Sequence, residues 1–325
     1  QTSNAYYTVP QLELAKVLID NSCLDRVFFS NSGAEANEGA VKLARKYGKL
    51  KLNGANEVIT ALNSFHGRTL GMIAATGQPH YQEAWAPLAE GFINVEYNDL
   101  DAIKNATNDN TCAVMLEPLQ GEGGVNVPEE GYLKAVRDWC DQKGILLIFD
   151  EIQTGLGRLG TLFGYQSFEV EPDVMTLAKG LGGGAPIGAF LAKEHASVLE
   201  PGDHGSTFGG NALTCAAAHA SSKYIVDNNV SEQAGIAGNY LRQELNTLKT
   251  KYSQITDVRG MGMLIGVGFD SDISGQVVAA CTGEGLLLNA VRPNTIRFMP
   301  PLTLSLEETD QGISKLSNAL DKVLT

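Results

Sequence analysis

Two short apolar runs in this chain each end in a group that can do chemistry. Ile145-Leu146-Leu147-Ile148-Phe149 leads into Asp150-Glu151-Ile152-Gln153. Val174-Met175-Thr176-Leu177-Ala178 leads into Lys179 and the glycine cluster Gly180-Leu181-Gly182-Gly183-Gly184. Read as strands of one sheet, they set an acid and an amine at neighbouring carboxyl ends. The acid can hold a proton on a ring nitrogen, and the amine can form an imine with an aldehyde. Alone, Lys179 reads as a solvated surface lysine. To act as a nucleophile at neutral pH its pKa must fall from about 10.4 toward 7, a shift worth roughly 4 kcal/mol. Apolar neighbours and a nearby cationic ring supply such a shift. Asp150 alone reads as a cap or a surface carboxylate, and if buried it is a costly charge without a partner. Glu151 follows directly on the same strand and so points to the opposite face, which excludes an acid–base dyad of the glycosidase kind. A lysine for an imine and a carboxylate for a pyridinium nitrogen are together what pyridoxal phosphate chemistry requires.

Open parallel sheets bind ligands outside the carboxyl ends of their strands, and further reactive residues fall at such ends. Ser32-Gly33-Ala34 follows one apolar run, Phe65-His66-Gly67-Arg68 a second, and Glu117 ends another. Ser32 and Glu35 fit a capping box, with Ser32 accepting from the Glu35 amide and Glu35 reaching back to the Ser32 amide. The Gly33 and Ala34 amides are then free at a positive helix end, a place for a phosphate or simply for water. Phe65 can stack on a flat ring or fill a core. Arg68 and Arg297 stand beside apolar residues, as arginines that clamp carboxylates or make structural ion pairs do. Glu117 and Glu122 are candidates to neutralise such an arginine.

The elements that must hold these groups are legible as seven runs rich in Val, Ile, Phe and Leu: 27–30, 58–63, 92–97, 113–117, 145–150, 174–178 and 187–192. Several are nearly continuous, as strands buried on both faces are. Helical patterns lie between many of them, including one with Leu12, Ala15, Val17 and Leu18. Another spans 35–47, acidic first and basic last, with Gly48 as its stop. Alternation of strand and helix predicts a mostly parallel sheet covered on both faces. After Thr207 come helices at 211–226 and 231–252, a strand at 263–269, a helix near 275–281, a strand at 295–299 and a last helix after Ser305. The fold expected is α/β, a seven-stranded mostly parallel sheet domain at 1–222 with a smaller C-terminal α+β domain at 223–325. A chain of 325 residues exceeds what one core usually serves.

Composition narrows the function. With 43% hydrophobic and 19% charged residues the chain is globular. A net charge of −13 argues against a nucleic-acid surface. Five cysteines without CxxC spacing predict scattered thiols in a reducing compartment, hence a cytoplasmic protein. The five histidines show no metal spacing, no GxSxG elbow occurs, and no run predicts a membrane span. Gly155-Leu156-Gly157-Arg158-Leu159-Gly160 matches GxGxxG, but Glu151 to Thr154 separate it from the strand and no helical pattern follows, so the match reads as coincidence.

These residues resemble the class III, fold-type I pyridoxal phosphate aminotransferases, most closely the acetylornithine branch. The resemblance rests on Asn31-Ser32-Gly33-Ala34-Glu35-Ala36-Asn37-Glu38, Phe65-His66-Gly67-Arg68-Thr69, 117–124, 149–155, 177–184 and 204–211, and it runs through essentially the whole chain. It implies that Lys179 forms the imine with the cofactor and shuttles the proton, Asp150 pairs with the ring nitrogen, and Gln153 bonds the ring hydroxyl. Phe65 and Ile152 would sandwich the ring. Gly33 and Ala34 would hold the phosphate, with Thr207 supplied by the neighbouring subunit of a homodimer. Arg68, with Ser206 close by, would bind one substrate carboxylate. Arg297, with Glu122 as a switchable partner, would bind the other. The implied reaction transfers the amino group of N-acetylornithine to 2-oxoglutarate in arginine biosynthesis. Ornithine, succinylornithine, 4-aminobutyrate and succinyl-diaminopimelate are the alternative donors. A nicotinamide dehydrogenase and a catalytically silent binding protein are the readings from other classes. Two departures stand out. Ala34 occupies a position where this branch often has threonine, so a hydroxyl is lost and the backbone donor kept. The family also carries a segment ahead of the position of Gln1 that helps wall the substrate pocket, and the chain is expected to lack it.

Overall fold

The computed structural model describes residue 2 and residues 4–324. Seven strands form the larger sheet: β1 (Arg26–Ser30), β2 (Glu57–Ala61), β3 (Phe92–Val95), β4 (Thr111–Leu116), β5 (Leu146–Asp150), β6 (Val174–Leu177) and β7 (Gly188–Ala192). Their order is β1-β7-β6-β5-β4-β2-β3. Only β7 opposes its neighbours, pairing antiparallel with both β1 and β6. The sheet is therefore mostly parallel, and its strands lie where the apolar runs predict.

β4 through β7 are buried along their whole length. Each contributes alternate residues to two separate cores. Leu147, Phe149, Met175 and Leu177 pack into one. Leu146, Ile148 and Val174 pack into the other. That two-sided burial explains the unbroken apolar runs.

The helix at Gly33–Lys51 passes straight through Gly48, which corrects the expected stop. A Cβ on Gly48 would lie 2.0 Å from the Ala55 carbonyl oxygen and 2.7 Å from Cys112 Cβ. The glycine serves close approach to the sheet rather than termination.

A second, antiparallel sheet has the order β10-β11-β9-β8, with β8 (Ile255–Met261), β9 (Leu264–Phe269), β10 (Asn289–Arg292) and β11 (Thr295–Phe298). Helices Val230–Lys251, Ser274–Gly283 and Leu306–Leu324 accompany it. Ile265, Val267 and Phe269 face those helices and form their core with Leu245, Leu316 and Leu320. β8 and β10 carry little continuous apolar sequence, so their pattern was silent; most of their residues are half-buried or exposed.

Asp150 and Glu151 point apart, as adjacent strand residues must. Glu151 accepts hydrogen bonds from the Tyr165 amide at 2.7 Å and from the Gly164 amide, starting the short helix Gly164–Phe168. Burial pushes its pKa up to about 7 from 4.5. Within that window the folded chain keeps a proton that the unfolded chain releases, so this group's contribution to stability falls as pH rises from 4.5 to about 7 and is level above. Glu151→Gln should remove that share. Urea midpoints at about pH 5 and about pH 7.5 should differ less in the variant than in the parent chain. An unchanged difference refutes the assignment.

Among the described residues the five cysteines are unpaired, and no group of His, Cys, Asp and Glu is arranged to hold a metal ion. No described helix is long and apolar enough to cross a membrane.

Candidate active site

The carboxyl ends of β1, β2, β4, β5 and β6 open on one cavity of about 590 Å³, inside the roughly 300–1,000 Å³ range of small-molecule sites. β7 runs the other way, so the residues ahead of it, Ala185-Pro186-Ile187, close the same edge. Gly33, Ala34, Phe65, Arg68, Glu122, Asp150, Ile152, Gln153 and Lys179 all line this space.

Asp150, 3% exposed at the end of β5, is held on both oxygens. Its Oδ2 accepts from Asn37 Nδ2 at 2.8 Å and lies 2.8 Å from His66 Nδ1. Its Oδ1 accepts from the Ile152 amide at 3.0 Å. Sequence reasoning gave Asn37 and His66 no role at the carboxylate. Asn37 stands 113 positions away in the chain, and nothing local announces the contact. The His66 Nε2 is buried without a partner among the described residues.

Lys179 leaves β6 with φ of 43°, a left-handed conformation unusual for a side chain of this size. It stands between the main cavity and a second of about 660 Å³, and lines both. Its side chain is thus reachable from open space while the surrounding protein still dehydrates the amine. That dehydration pushes its pKa below the usual lysine value, opposed by the charges of Glu122, Asp150 and Glu117.

Glu122, Gln153 and Arg297 form one cluster. Arg297 Nη1 donates to Glu122 Oε1 at 2.8 Å and to Gln153 Oε1 at 3.1 Å, and Gln153 Nε2 donates to Glu122 Oε1 at 3.0 Å. Burial acts to raise the Glu122 pKa, but the Arg297 charge and the hydrogen bonds from Arg297 and Gln153 outweigh it and lower it. Glu117 behaves differently from its expectation. Among the described residues it pairs with no arginine; it accepts from the Phe65 amide at 3.1 Å and the Gly121 amide at 3.2 Å. Burial pushes its pKa up to about 7.

At the start of helix Gly33–Lys51, Ser32 Oγ accepts from the Glu35 amide at 3.2 Å. Glu35 reaches back to the Asn31 amide at 2.6 Å, one residue earlier than the capping box predicts. The Gly33 and Ala34 amides, in the first turn, have no intrahelical acceptor. A Cβ on Gly33 would lie 2.8 Å from Ile152 Cδ1, so the glycine lets this helix end approach the cavity wall.

Arg68 makes no hydrogen bond or ion pair among the described residues. Its guanidinium lies over the rings of Phe65 at 5.5 Å and Tyr81 at 5.4 Å. Cation–π contacts hold it while its N–H donors stay unspent. Ser206 and Thr207 are not in the main cavity. They line a separate space of about 380 Å³ with Asn31 and Glu35, where Ser206 Oγ accepts from Asn31 Nδ2 at 3.0 Å.

An amine with a lowered pKa, a three-donor carboxylate, free helix amides and the apolar faces of Phe65 and Ile152 share one cavity. These are the donors that a phosphorylated pyridine aldehyde needs, so the residues fit such a cofactor. Fold and site together define an enzyme of fold type I. The chain belongs to the family Aminotransferase class-III, whose profile matches residues 1–320. It is 48% identical over 322 residues to the acetylornithine aminotransferase of Caldanaerobacter subterraneus subsp. tengcongensis, covering 99% of this chain and 82% of that protein. It is 49% identical to the acetylornithine aminotransferase of Methanocaldococcus jannaschii, covering 100% and 81%. Among solved structures, the ornithine aminotransferase of Toxoplasma gondii ME49 matches with a TM-score of 0.94 and 36% identity, over 99% of this chain and 79% of that one.

Proposed function

We propose that this chain transfers the terminal amino group of N-acetylornithine to 2-oxoglutarate, giving N-acetylglutamate semialdehyde and glutamate, with pyridoxal 5'-phosphate as cofactor. The observation that carries the chemistry is the convergence of Lys179 and Asp150, from the ends of adjacent strands, on one cavity. The near-half identity to acetylornithine aminotransferases over the whole chain supports the donor.

When bound, the cofactor supplies an aldehyde for the substrate amine and a ring that accepts electrons from the carbon losing its proton. Lys179, its amine dehydrated, would hold the cofactor's aldehyde carbon until the substrate amine displaces it, and as the free base would then move the proton lost by the substrate carbon. Asp150 would keep a proton on the ring nitrogen, and Asn37, His66 and the Ile152 amide keep Asp150 in place. The Gly33 and Ala34 amides would hold the phosphate, Gln153 the ring hydroxyl, and Phe65 and Ile152 the ring. Thr207 serves the site of a second copy in a homodimer, which accords with its lying outside the main cavity of its own chain. Ser206 belongs to the same segment.

The two half-reactions differ in carboxylates. N-acetylornithine presents one, and Glu122 holds Arg297 meanwhile. 2-Oxoglutarate presents two, so Arg68 and Arg297 both engage and Glu122 must release its partner. Arg68→Ala should therefore raise KM for both substrates by about 10- to 100-fold, the loss of charged hydrogen bonds. Unchanged steady-state kinetics for either substrate would remove Arg68 from the site. The setting proposed is arginine biosynthesis in the cytoplasm. The proposed division of domains at 222/223 falls within helix Ala212–Asp227, which packs on the larger unit through Cys215 and Ala218.

The deciding experiment is turnover of a panel of amines against 2-oxoglutarate. N-acetylornithine should give the highest kcat/KM. A preference for ornithine, succinylornithine, 4-aminobutyrate or succinyl-diaminopimelate would move the assignment to a sister activity.

A further inference from the structure

The segment that carries Glu122 lies on the C-terminal sheet, and the sheet is shaped to receive it. In the ladder, Arg297 of β11 pairs with Gly266 of β9, and Gly266 pairs with Arg259 of β8. Directly opposed residues share a face, so the three form one row with a glycine at its centre. Gly266 and Gly268 leave that face open where Ile265 and Val267 fill the other. A Cβ on Gly266 would lie 3.0 Å from Val125 Cβ; a Cβ on Gly268 would lie 2.1 Å from Asp257 Oδ1. The gap over Gly266 is occupied by the Val125 side chain and the Gly124 carbonyl oxygen.

Arg259 grips that backbone. Its Nε donates to the Gly124 carbonyl at 3.0 Å and the Val125 carbonyl at 3.2 Å, and its Nη2 donates to the Gly124 carbonyl at 2.6 Å. Asp257 fixes the guanidinium from the other side at 2.7 and 2.8 Å. Arg292 Nε holds the Gly123 carbonyl at 2.9 Å. Directly before Gly123 stands Glu122, paired with Arg297 of the same row.

We propose that Arg259 and Gly266 are positioning residues: they seat residues 123–125 on the sheet and so set how tightly Glu122 holds Arg297. The consequence for substrate choice rests on the reading of Arg297 as a carboxylate site. A loosened seat weakens the pair, which eases entry of the diacid and costs discrimination toward the donor with one carboxylate.

The test uses the cofactor-loaded full chain and follows the N-acetylornithine and 2-oxoglutarate half-reactions separately by single-turnover absorbance. Arg259→Gln should shift the ratio of the two half-saturation concentrations in favour of 2-oxoglutarate by about tenfold. The direction should match Glu122→Gln, and the double variant should move no further than Glu122→Gln alone. Hydrogen exchange of the amides of 123–126 should quicken in Arg259→Gln. Gly266→Ala, which presses on the same segment from below, should act the same way if Arg259→Gln fails to fold. A ratio that moves in Glu122→Gln but not in Arg259→Gln, or additive shifts, overturns the proposal; so does unchanged exchange. A ratio unmoved by Glu122→Gln overturns the carboxylate reading of the pair instead, and the exchange result then decides the seating by itself.

Discussion

Lys179→Ala is expected to lower kcat by at least about 10⁴-fold, because one amine performs both the nucleophilic and the proton-transfer work. Glu117 and the arginines do not take over. Glu117 protonates near pH 7, but two backbone amides hold its carboxylate. The guanidinium groups of Arg68 and Arg297 offer only N–H donors and cannot serve as bases. The fold should survive, since the side chain faces cavity space on both sides. Borohydride reduction of the loaded parent protein should leave the cofactor's mass on the peptide containing Lys179 and leave none in the variant. Turnover within tenfold of the parent, or an adduct on another lysine, would sink the assignment.

Asp150→Asn is the second large effect. The carboxylate is buried and accepts on both oxygens. An amide of the same shape can accept on only one side, and its NH₂ must confront either Asn37 or the Ile152 amide. The loss is therefore electrostatic and structural at once. kcat should fall by about 10²–10³-fold, the scale seen when one preorganised electrostatic partner of a reacting group is removed. Stability should fall by about 1–3 kcal/mol, the cost of a buried donor left unmet. Steady-state rates and urea unfolding of the same preparation separate the two. A kcat within tenfold of the parent would show that the negative charge is not needed.

The larger sheet was legible because burial on both faces writes itself as continuous apolar runs, and β4 to β7 are such strands. β8 and β10 were not, because their residues are mostly half-buried or exposed and their type is set by pairing with β9 and β11. Gly48 misled for a related reason. In sequence it resembles a helix end, and only the nearness of Ala55 and Cys112 shows that the position needs a missing Cβ. The GxGxxG match has the same explanation. The chain turns through 151–163 without starting a helix, and a Cβ on Gly160 would lie 3.2 Å from the Gly235 backbone. Gly157 and Gly160 let Ser231, Gly235 and Leu302 come close.

What the sequence determined unaided was the strands of the larger sheet and the residue types that follow them, because both depend on neighbours in the chain: period, caps, and the residue that follows an apolar run. The tertiary structure alone decided which groups answer one another. Asn37 and His66 steady Asp150, Glu117 turns to backbone amides, and Ser206 with Thr207 stands in a different cavity, where Ser206 bonds Asn31. Those choices join residues as much as 175 positions apart, and their energies depend on distance and dehydration, which no local pattern of residue types records.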